Sequence, residues 1–447
     1  MAASVHEFNT GLCLEHVEEA AFLYTQRLVL LKDSEIPWTD LDGFESRLEA
    51  HIDALVVGGG LALKKCVDQI EAGDAGVLFA SISLFCRHKR NDLLALALKQ
   101  IDLAEPDQLA ALTDALGWEL PLDWVAFVES AIARGDAKLT DALATVSGYR
   151  RLPVAPVLLQ ALNSKPTLAL VTALGRLRSA DAVSPLEACV SRVEPGMQPA
   201  ALLSLLQIGS TDALQAQYLN AHIEKWPRTL LALGGTSSAT AVLSDIVQAG
   251  KARPECLLAL GLLGDLPSMK MLYQCLQVPE CARAAALGLN WATGANLYED
   301  EFEAEEVQED ELFDNELLAW RERRQPPMRL DGQLFGKRVQ RLSTNPETWA
   351  QWLSQNRDRF ENGLRYRSGQ PYSPMALLAN LRDPRSDRRL RRLAALELVI
   401  RYACDVPFEP DMPVRQQVRA MQEIEQWITQ NSARFEPGLW YANGQPQ

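Results

Sequence analysis

The sequence predicts an all-α protein, a right-handed α-solenoid of stacked helical hairpins with a helical cap at its N-terminal end and a helical domain at its C-terminal end. Three observations predict this class. Ala/Leu-rich runs recur with a period of about 26 to 31 residues through the middle of the chain. A proline, which suits the first turn of a helix, opens each clear run. A residue typical of helix N-caps then precedes a second apolar run, so the repeating unit is a pair of helices.

The repeat stack is predicted over residues 61–297. Its clear units open at Pro166, Pro199, Pro227, Pro254 and Pro279. Side chains whose oxygens can accept hydrogen bonds from a helix start stand before the second helix of a unit, at Ser179, Ser210, Thr236 and Asp265. One unit is too small to bury its own apolar face, so neighbouring units must pack against one another.

Residues 1–60 are predicted to form an N-terminal helical cap. Two amphipathic helices cover about residues 12–31 and 41–57, and the second is expected to stop at three consecutive glycines, 58–60. Neither helix follows the register of the repeats, so we interpret them as a cover for the end of the stack.

Two histidines of this cap are candidates for a site. His16 and Glu19 share one face of the first helix, and His51 stands beside Asp53 on the second. Antiparallel pairing of the helices would bring both histidines and a carboxylate together, as a metal or acid–base site requires. Helix pairs also hold histidines through hydrogen bonds to carboxylates, and we favour this structural interpretation.

Charge is distributed unevenly along the chain. The first 316 residues hold 23 Lys and Arg against 44 Asp and Glu, whereas the remainder holds 21 against 14. Residues 298–316 are predicted to be an acidic linker, because eleven of the 18 residues from Glu299 to Glu316 are acidic and such a block repels itself. We favour a solvated, disordered loop, and the alternative is a segment that binds a basic surface. Residues 317–447 are predicted to be a basic, helical C-terminal domain.

Arginines of the C-terminal domain are the candidate protein-binding residues. A planar guanidinium group binds a carboxylate through paired hydrogen bonds. We therefore expect the arginines at the start of one helix to contact acids, either in residues 298–316 or in a partner protein. The candidates are Arg365, Arg367, Arg388, Arg389, Arg391 and Arg392. The alternative is that these side chains lie over their own domain with the charged end in water.

The repeat units resemble HEAT-like repeats of the short bacterial kind, about 30 residues long. The two ends of the chain, EHVEEAAFLYTQR (15–27) with FESRLEAHIDAL (44–55) and RYRSGQPYSPMALLANL (365–381), resemble the termini of a bacterial HEAT-repeat family. Genes of that family are frequently found in type VI secretion clusters. The resemblance covers nearly the whole chain, although the acidic block is unusually long. It implies an accessory role in type VI secretion, as an adaptor that handles an effector or a spike component.

No motif of the chain predicts an enzyme, a cofactor or a metal. Residues 58–65 hold glycines and lysines without the order of a phosphate-binding loop, and neither G-x-S-x-G nor H-E-x-x-H occurs. The eight cysteines form no C-x-x-C pair and are expected to be small buried hydrophobes. No apolar run reaches the roughly 18 residues that span a bilayer, and the N-terminus lacks the pattern of a secretory signal. We therefore expect a cytoplasmic location.

The predicted function is that of a non-enzymatic, protein-binding scaffold. The alternative is an enzyme related to phycobilin lyases, which have short HEAT-like repeats and act on bilin chromophores attached to cysteine. A nucleic-acid binder of the HEAT-like glycosylase type would need a basic groove, and the net charge of −21 over the first 316 residues opposes it.

Overall fold

The computed structural model describes residues 4–33, 35–70, 74–192, 194–212, 228–236, 238–251, 253–323, 327–329 and 331–447 of the chain. These residues are mainly α-helical, which confirms the predicted all-α class. The strands among them are short and form three two-stranded sheets. No described helix is both long enough and apolar enough to span a membrane.

The chain divides into two compact units. One comprises residues 1–237 and 372–447, and the other comprises residues 238–371. The C-terminal residues from Tyr372 onward therefore share a unit with the N-terminal half of the chain. The predicted domain boundaries after residues 60, 297 and 316 follow a different division and stay a prediction.

The first unit begins with a long series of helices. They are α1 (Val5–Leu30), α2 (Leu41–Ile70), α3 (Ala75–Arg87), α4 (Asn91–Ala97), α5 (Pro106–Glu119), α6 (Val125–Ala133), α7 (Ala137–Arg150), α8 (Ala155–Ser164), α9 (Leu168–Arg176), α10 (Val183–Val190), α11 (Met197–Ile208) and α12 (Arg228–Gly234). Single 3₁₀ turns occur at Trp38–Asp40, Leu122–Trp124 and Ala180–Ala182. The helix predicted after Ser210 and the helix start predicted at Pro227 lie outside the described residues.

Alternate helices of this series pack against one another in chain order. Helix α1 packs on α2 and α3, and the contacts then run from α3 to α5, α7, α9 and α11. Helices α6, α8 and α10 pack against α7, α9 and α11 respectively. Between α9 and α11 the approach is so close that a Cβ atom on Gly175 would overlap the side chain of Ser204. A residue without a Cβ atom is needed there.

Three further helices complete the first unit, namely α19 (Pro374–Arg382), α20 (Arg388–Tyr402) and α21 (Val414–Asn431). They precede a 3₁₀ turn (Ser432–Arg434) and a hairpin of β5 (Tyr441–Ala442) and β6 (Gln445–Pro446). Helix α19 packs on α20 and α21, α20 packs on α11 and α12, and α21 packs on α2. Their shared core contains buried side chains such as those of Tyr372, Leu398, Tyr402, Phe408 and Ile424.

The second unit contains α13 (Ser238–Ile246), α14 (Pro254–Leu263), α15 (Leu266–Cys275), α16 (Pro279–Thr293), β1 (Tyr298–Ala304), α17 (Asp314–Arg323), β2 (Gly336–Leu342), α18 (Pro346–Gln355), β3 (Tyr366–Arg367) and β4 (Gln370–Pro371). A π-helical turn follows α13 at Val247–Lys251, and 3₁₀ turns lie at Glu309–Glu311 and Arg357–Arg359. Helix α14 packs against α13, α15 and α16. Pro254 and Pro279 open α14 and α16 as predicted, and the side chain of Asp265 caps α15 by accepting from the Ser268 N–H at 3.0 Å.

The predicted acidic linker is structured rather than a disordered loop. Strand β1 lies inside it and pairs antiparallel with β2, whose sequence GKRVQRL is basic. Glu303 forms an ion pair with Arg341 of β2 at 2.9 Å, and Glu301 lies 3.7 Å from Arg283. Opposite charges across the two strands offset the repulsion on which the disorder prediction rested.

A helix–hairpin module occurs twice in the chain. Residues 349–371 and 424–446 share 13 of 23 positions, and each stretch runs from a helix through a 3₁₀ turn into a two-residue-strand hairpin. In the first copy the Tyr366 hydroxyl accepts from the N–H of Glu361 at 2.7 Å, and in the second copy Tyr441 accepts from Glu436 at 2.8 Å. The two copies therefore fold alike, although they belong to different units.

The helix predicted to end at residues 58–60 continues beyond them. Gly59 adopts φ 56° and ψ −130°, which bends the chain, and α2 then resumes as far as Ile70. Glycine reaches such a positive φ without steric cost, so the run of glycines produces a kink within the helix instead of its end.

Candidate protein-binding site

The candidate site lies where the residues between α20 and α21 meet the first unit's own helices. This connecting segment, residues 403–413, contains neither helix nor strand. Within it Phe408 is 5% exposed and Glu409 is 6% exposed, so the segment packs against the rest of the unit. Its charged partners lie at or just beyond the ends of α7 and α9. We call them the arginine row: Arg151, Arg176 and Arg178.

The arginine side chains of the row contact both a side chain and the backbone of the connecting segment. The carboxylate of Glu409 accepts from Arg176 at 3.1 Å and from Arg151 at 3.5 Å. Arg178 donates to the backbone oxygen of Ala403 at 3.2 Å and to the side-chain oxygen of Asn443 at 3.0 Å. Burial lowers the pKa of the Arg151 guanidinium, and the negative charge of Glu409 acts in the opposite direction. The ion pair with Glu409 therefore stabilises the charged form of Arg151 at this half-buried position.

Two arginines of the row share a local backbone feature. Arg151 and Arg178 follow the ends of α7 and α9 with φ of 54° and 52°, which places both in the left-handed region that commonly ends a helix. For a residue other than glycine this conformation is unfavourable. Both residues stand just after the end of a helix in two successive helix pairs, and this repeated position places their side chains in one row.

A buried ion pair fixes the far end of the connecting segment. Arg27 of α1 and Glu45 of α2 lie 2.7 Å apart, with side chains only 2% and 8% exposed. Arg27 also donates to the backbone oxygen of Asp411 at 2.8 Å, and Glu45 accepts from the N–H of Val414 at 2.5 Å. The guanidinium group lies 4.5 Å above the Trp118 ring. Every charge of this pair therefore meets a partner, as a buried pair requires.

Neutral and acidic groups surround this pair. The Tyr24 hydroxyl donates to Asp114 at 2.9 Å, and burial raises the pKa of both side chains. Burial also raises the pKa of Tyr149, with further contributions from the charges of Asp411 and Glu409. The hydroxyl oxygen of Tyr149 and Oδ1 of Asp411 are buried without a hydrogen-bond partner in the described part of the chain.

Three of the predicted binding arginines are exposed on the first turns of α20. They are Arg388, Arg389 and Arg392. Arg388 lies 3.1 Å from the carboxylate of Asp411, and Arg392 lies 3.8 Å from it. The carboxylate partner of Arg388 and Arg392 is thus a residue of the connecting segment. Binding of a separate protein by these three arginines stays a prediction, as does their contact with residues 298–316.

Arg391 requires a correction, because its side chain is buried and only 1% exposed. It donates to the backbone oxygen of Leu381 at 3.0 Å and to the side-chain oxygen of Gln417 at 2.5 Å, and it stacks 4.2 Å above the Trp38 ring. Burial lowers the pKa of its guanidinium group. The side chain holds α19, α20 and α21 together and has no surface to offer to a partner.

Arg365 and Arg367 require the same correction, because both are fully buried. Arg365 donates to the backbone oxygens of Leu263 at 2.9 Å and Leu262 at 3.1 Å, and Arg367 donates to Leu262 at 3.1 Å. These oxygens belong to the last turn of α14, where a helix leaves carbonyl groups unbonded and carries partial negative charge. The two arginines therefore cap a helix and do not form a docking surface.

The two histidines of α1 and α2 do converge as predicted. Their Nδ1 atoms are 3.0 Å apart, so one ring donates to the other. The predicted neighbour Asp53 turns away to pair with Arg87 at 2.6 Å. Burial lowers the pKa of His51, and the charge of His16 lowers it further. Within the described ranges no group of three or more His, Cys, Asp or Glu side chains is placed to hold a metal ion.

All eight cysteines are buried and free, which confirms their prediction as buried small side chains. Burial raises the pKa of the Cys66, Cys86 and Cys404 thiols to about 12. Such thiols stay protonated and are poor nucleophiles. The interactions that the described side chains make at the candidate site are ion pairs and hydrogen bonds to an acidic segment.

Comparison of the chain with protein-family models, with curated proteins and with solved structures gave no match. The class that the fold and the site define is an all-α protein with an arginine-lined site that holds an acidic segment.

The arginine row is not evident from the sequence. Arg151 and Arg176 lie in the acidic part of the chain and Glu409 lies in the basic part, so the net charge of each region predicts the opposite arrangement. The sequence does hold one indication of the row. A basic residue stands just after a helix at Lys89, Arg151 and Arg178, and each of these residues has a positive φ in the structure.

Proposed function

We propose that the protein is a non-enzymatic scaffold that binds other proteins, built as a HEAT-like α-solenoid of right-handed stacked hairpins. The series of contacts from α3 through α5, α7 and α9 to α11 supports this arrangement, because successive helix pairs of a stack pack on one another in chain order. Stacks of this kind present side chains from successive units to one extended ligand.

The observation that carries the proposal is the hold of the arginine row on the connecting segment. Arg176 and Arg178 contact a carboxylate and a backbone oxygen of chain that lies outside regular secondary structure. Main-chain contacts provide affinity for extended chain, and charged side chains select its sequence. A surface able to hold such a segment of its own chain has the chemistry to hold one from another protein.

The resemblance of the chain ends to a bacterial HEAT-repeat family supports a more specific proposal. The protein would act in the cytoplasm as an accessory of type VI secretion and would bind an effector or a spike component. Net negative charge over the first 316 residues supports protein rather than nucleic acid as the ligand.

Affinity capture tests this function. The tagged full-length chain is used as bait in an extract of its native cells, with an unrelated tagged protein of similar net charge as the control, and bound proteins are identified by mass spectrometry. We expect specific capture of a protein in near-stoichiometric amount, and secretion components among the captured proteins would support the type VI role. Capture of no protein above the control, together with turnover of a small molecule by the purified chain, would overturn the scaffold proposal.

A further inference from the structure

Glu409 is held as a bound ligand would be held. Its carboxylate lies between two guanidinium groups, at 3.1 Å from Arg176 and 3.5 Å from Arg151. Arginine pairs of this kind are a recurrent device for binding carboxylates of peptides and proteins. The residues on either side of Glu409 are Phe408 and Pro410, and Glu409 begins a tight turn in which its backbone oxygen accepts from the N–H of Met412 at 3.1 Å.

The arginines that hold Glu409 can be reached from solvent. The side chains of Arg151 and Arg176 are 21% and 22% exposed, whereas Glu409 is 9% exposed in the same pairs. By contrast, the side chain of Arg27 at the other end of the segment is buried and only 2% exposed. Arg151 and Arg176 thus keep some solvent-accessible surface while Glu409 is paired with them.

The local charge also argues for a dedicated site. Residues 1–316 carry 44 acids and 23 bases, yet three arginines gather at the ends of two neighbouring helices. Removal of Glu409 would leave Arg151 and Arg176 half-buried without that counter-charge, which is strongly unfavourable. The row therefore needs an acid, and Glu409 supplies it within the chain.

We propose that Arg151 and Arg176 form a binding site for an acidic segment of a partner protein, and that Glu409 occupies this site until the partner displaces it. This inference rests on the proposed scaffold function and names its partner chemistry: an acidic side chain whose carboxylate pairs with both guanidinium groups. Phe408 remains in the core with α19 to α21, so displacement involves the carboxylate of Glu409 rather than unfolding of the segment.

Fluorescence anisotropy with a synthetic peptide tests this directly. The probe is a labelled peptide with the sequence of residues 405–412, and the matched control peptide carries Gln and Asn in place of its acids. The full-length chain is compared with Glu409→Gln, with Glu409→Gln combined with Arg151→Ala and Arg176→Ala, and with Glu423→Gln. Glu423 is a suitable control because it pairs with Arg419, an exposed residue of the same helix.

We expect the Glu409→Gln chain to bind the acidic probe about tenfold or more tightly than the unchanged chain, because the competing carboxylate is gone. The control peptide should show no such increase in affinity. Raising the salt concentration should weaken binding of the acidic probe, and the Arg151→Ala and Arg176→Ala substitutions should abolish it. Glu423→Gln should behave as the unchanged chain. Hydrogen exchange of α7, α9 and α20 in each variant shows that the helices remain folded.

Two results would overturn the inference. In one, Glu409→Gln binds the probe no better than the unchanged chain. In the other, binding improves but does not depend on Arg151 and Arg176. Affinity capture with the same variants separates this outcome from failure of the scaffold function. A partner retained equally by all variants leaves the scaffold function in place and rejects the arginine site, whereas the absence of any captured protein rejects the scaffold function itself.

Discussion

The carboxylate of Glu409 lies 3.1 Å from the guanidinium group of Arg176, across 233 positions of the chain. The charge distribution along the sequence predicts that arginines of the C-terminal half contact acids. In this contact the roles are reversed, since an acid of the C-terminal half pairs with arginines of the N-terminal half. The segment that brings this acid into place also joins α20 to α21, so the same residues fix the C-terminal helices and fill the arginine row.

Replacement of Arg27 should strongly destabilise the protein. Arg27→Ala leaves Glu45 charged and buried, and breaking a buried pair in this way costs about 3–5 kcal/mol. Urea unfolding followed by circular dichroism measures the loss. Arg419→Ala is the matched control, because the Arg419–Glu423 pair is exposed and its loss should cost less than about 0.5 kcal/mol. Equal losses in the two variants would contradict the structural role assigned to Arg27.

Arg367 should prove important for stability and unimportant for partner binding. Arg367→Met removes one of the two guanidinium donors to the backbone oxygen of Leu262 at the buried end of α14, where Arg365 is the other, and the loss of a hydrogen bond to a charged group costs about 1.5–3 kcal/mol. Arg389→Ala, at an exposed position, should be close to neutral for stability. Thermal unfolding and affinity capture of both variants check this. A stable Arg367→Met chain that has lost its partner would restore the original binding interpretation.

Fold class and cysteine burial could be predicted because they depend on local pattern. An Ala/Leu run with a proline start, as at Pro254, specifies a helix whatever lies around it. The strand Tyr298–Ala304 could not be predicted in the same way, because its seven residues are all exposed and its partner strand starts only at Gly336. Its pairing is set by charge across the two strands, which no local pattern reveals.

The arginine roles show the same division between local and distant causes. The sequence marks Arg365, Arg391 and Arg388 alike as members of basic clusters. Only the packing of other elements decides that Arg365 caps α14, that Arg391 stacks on Trp38, and that Arg388 stays at the surface. The duplicated module, by contrast, was available from a direct comparison of residues 349–371 with 424–446.

Stability should decrease as the pH falls through the range in which histidine titrates. Burial and the charge of His16 hold the pKa of His51 below its unfolded value of 6.5. The unfolded chain therefore binds the proton more readily, so this contribution is fully present above pH 6.5 and is lost as the pH falls below it. For one proton the slope cannot exceed about 1.4 kcal/mol per pH unit. Urea unfolding across this range measures it.

His51→Gln should flatten this part of the stability profile, because the titrating group is removed. His6→Gln is the control, since His6 is exposed near the start of α1. A profile for His51→Gln as steep as that of the unchanged chain would show that another group is responsible.

The duplicated hairpins should respond unequally to the same substitution. Gly369 and Gly444 occupy equivalent turn positions with φ of 73° and 75°, and each turn donates its backbone N–H to the end of a helix: Gly369 to Ala292 at 2.9 Å and Gly444 to Arg401 at 2.9 Å. Alanine is strained at this φ, which costs both variants about 1–2 kcal/mol. A Cβ atom on Gly369 would also lie 2.5 Å from the backbone oxygen of Thr293, whereas on Gly444 the nearest atom would be the mobile end of Arg434 at 3.4 Å.

Gly369→Ala should therefore destabilise its unit clearly more than Gly444→Ala destabilises the other, since a backbone oxygen cannot move aside as a side chain can. Because the two hairpins belong to separate compact units, hydrogen exchange followed by mass spectrometry is the suitable measurement. Exchange should accelerate in α16 for Gly369→Ala and only slightly in α20 for Gly444→Ala. A larger effect at Gly444 would mean that the hairpin contacts, and not the space around the glycine, determine how firmly each module is attached to its helix.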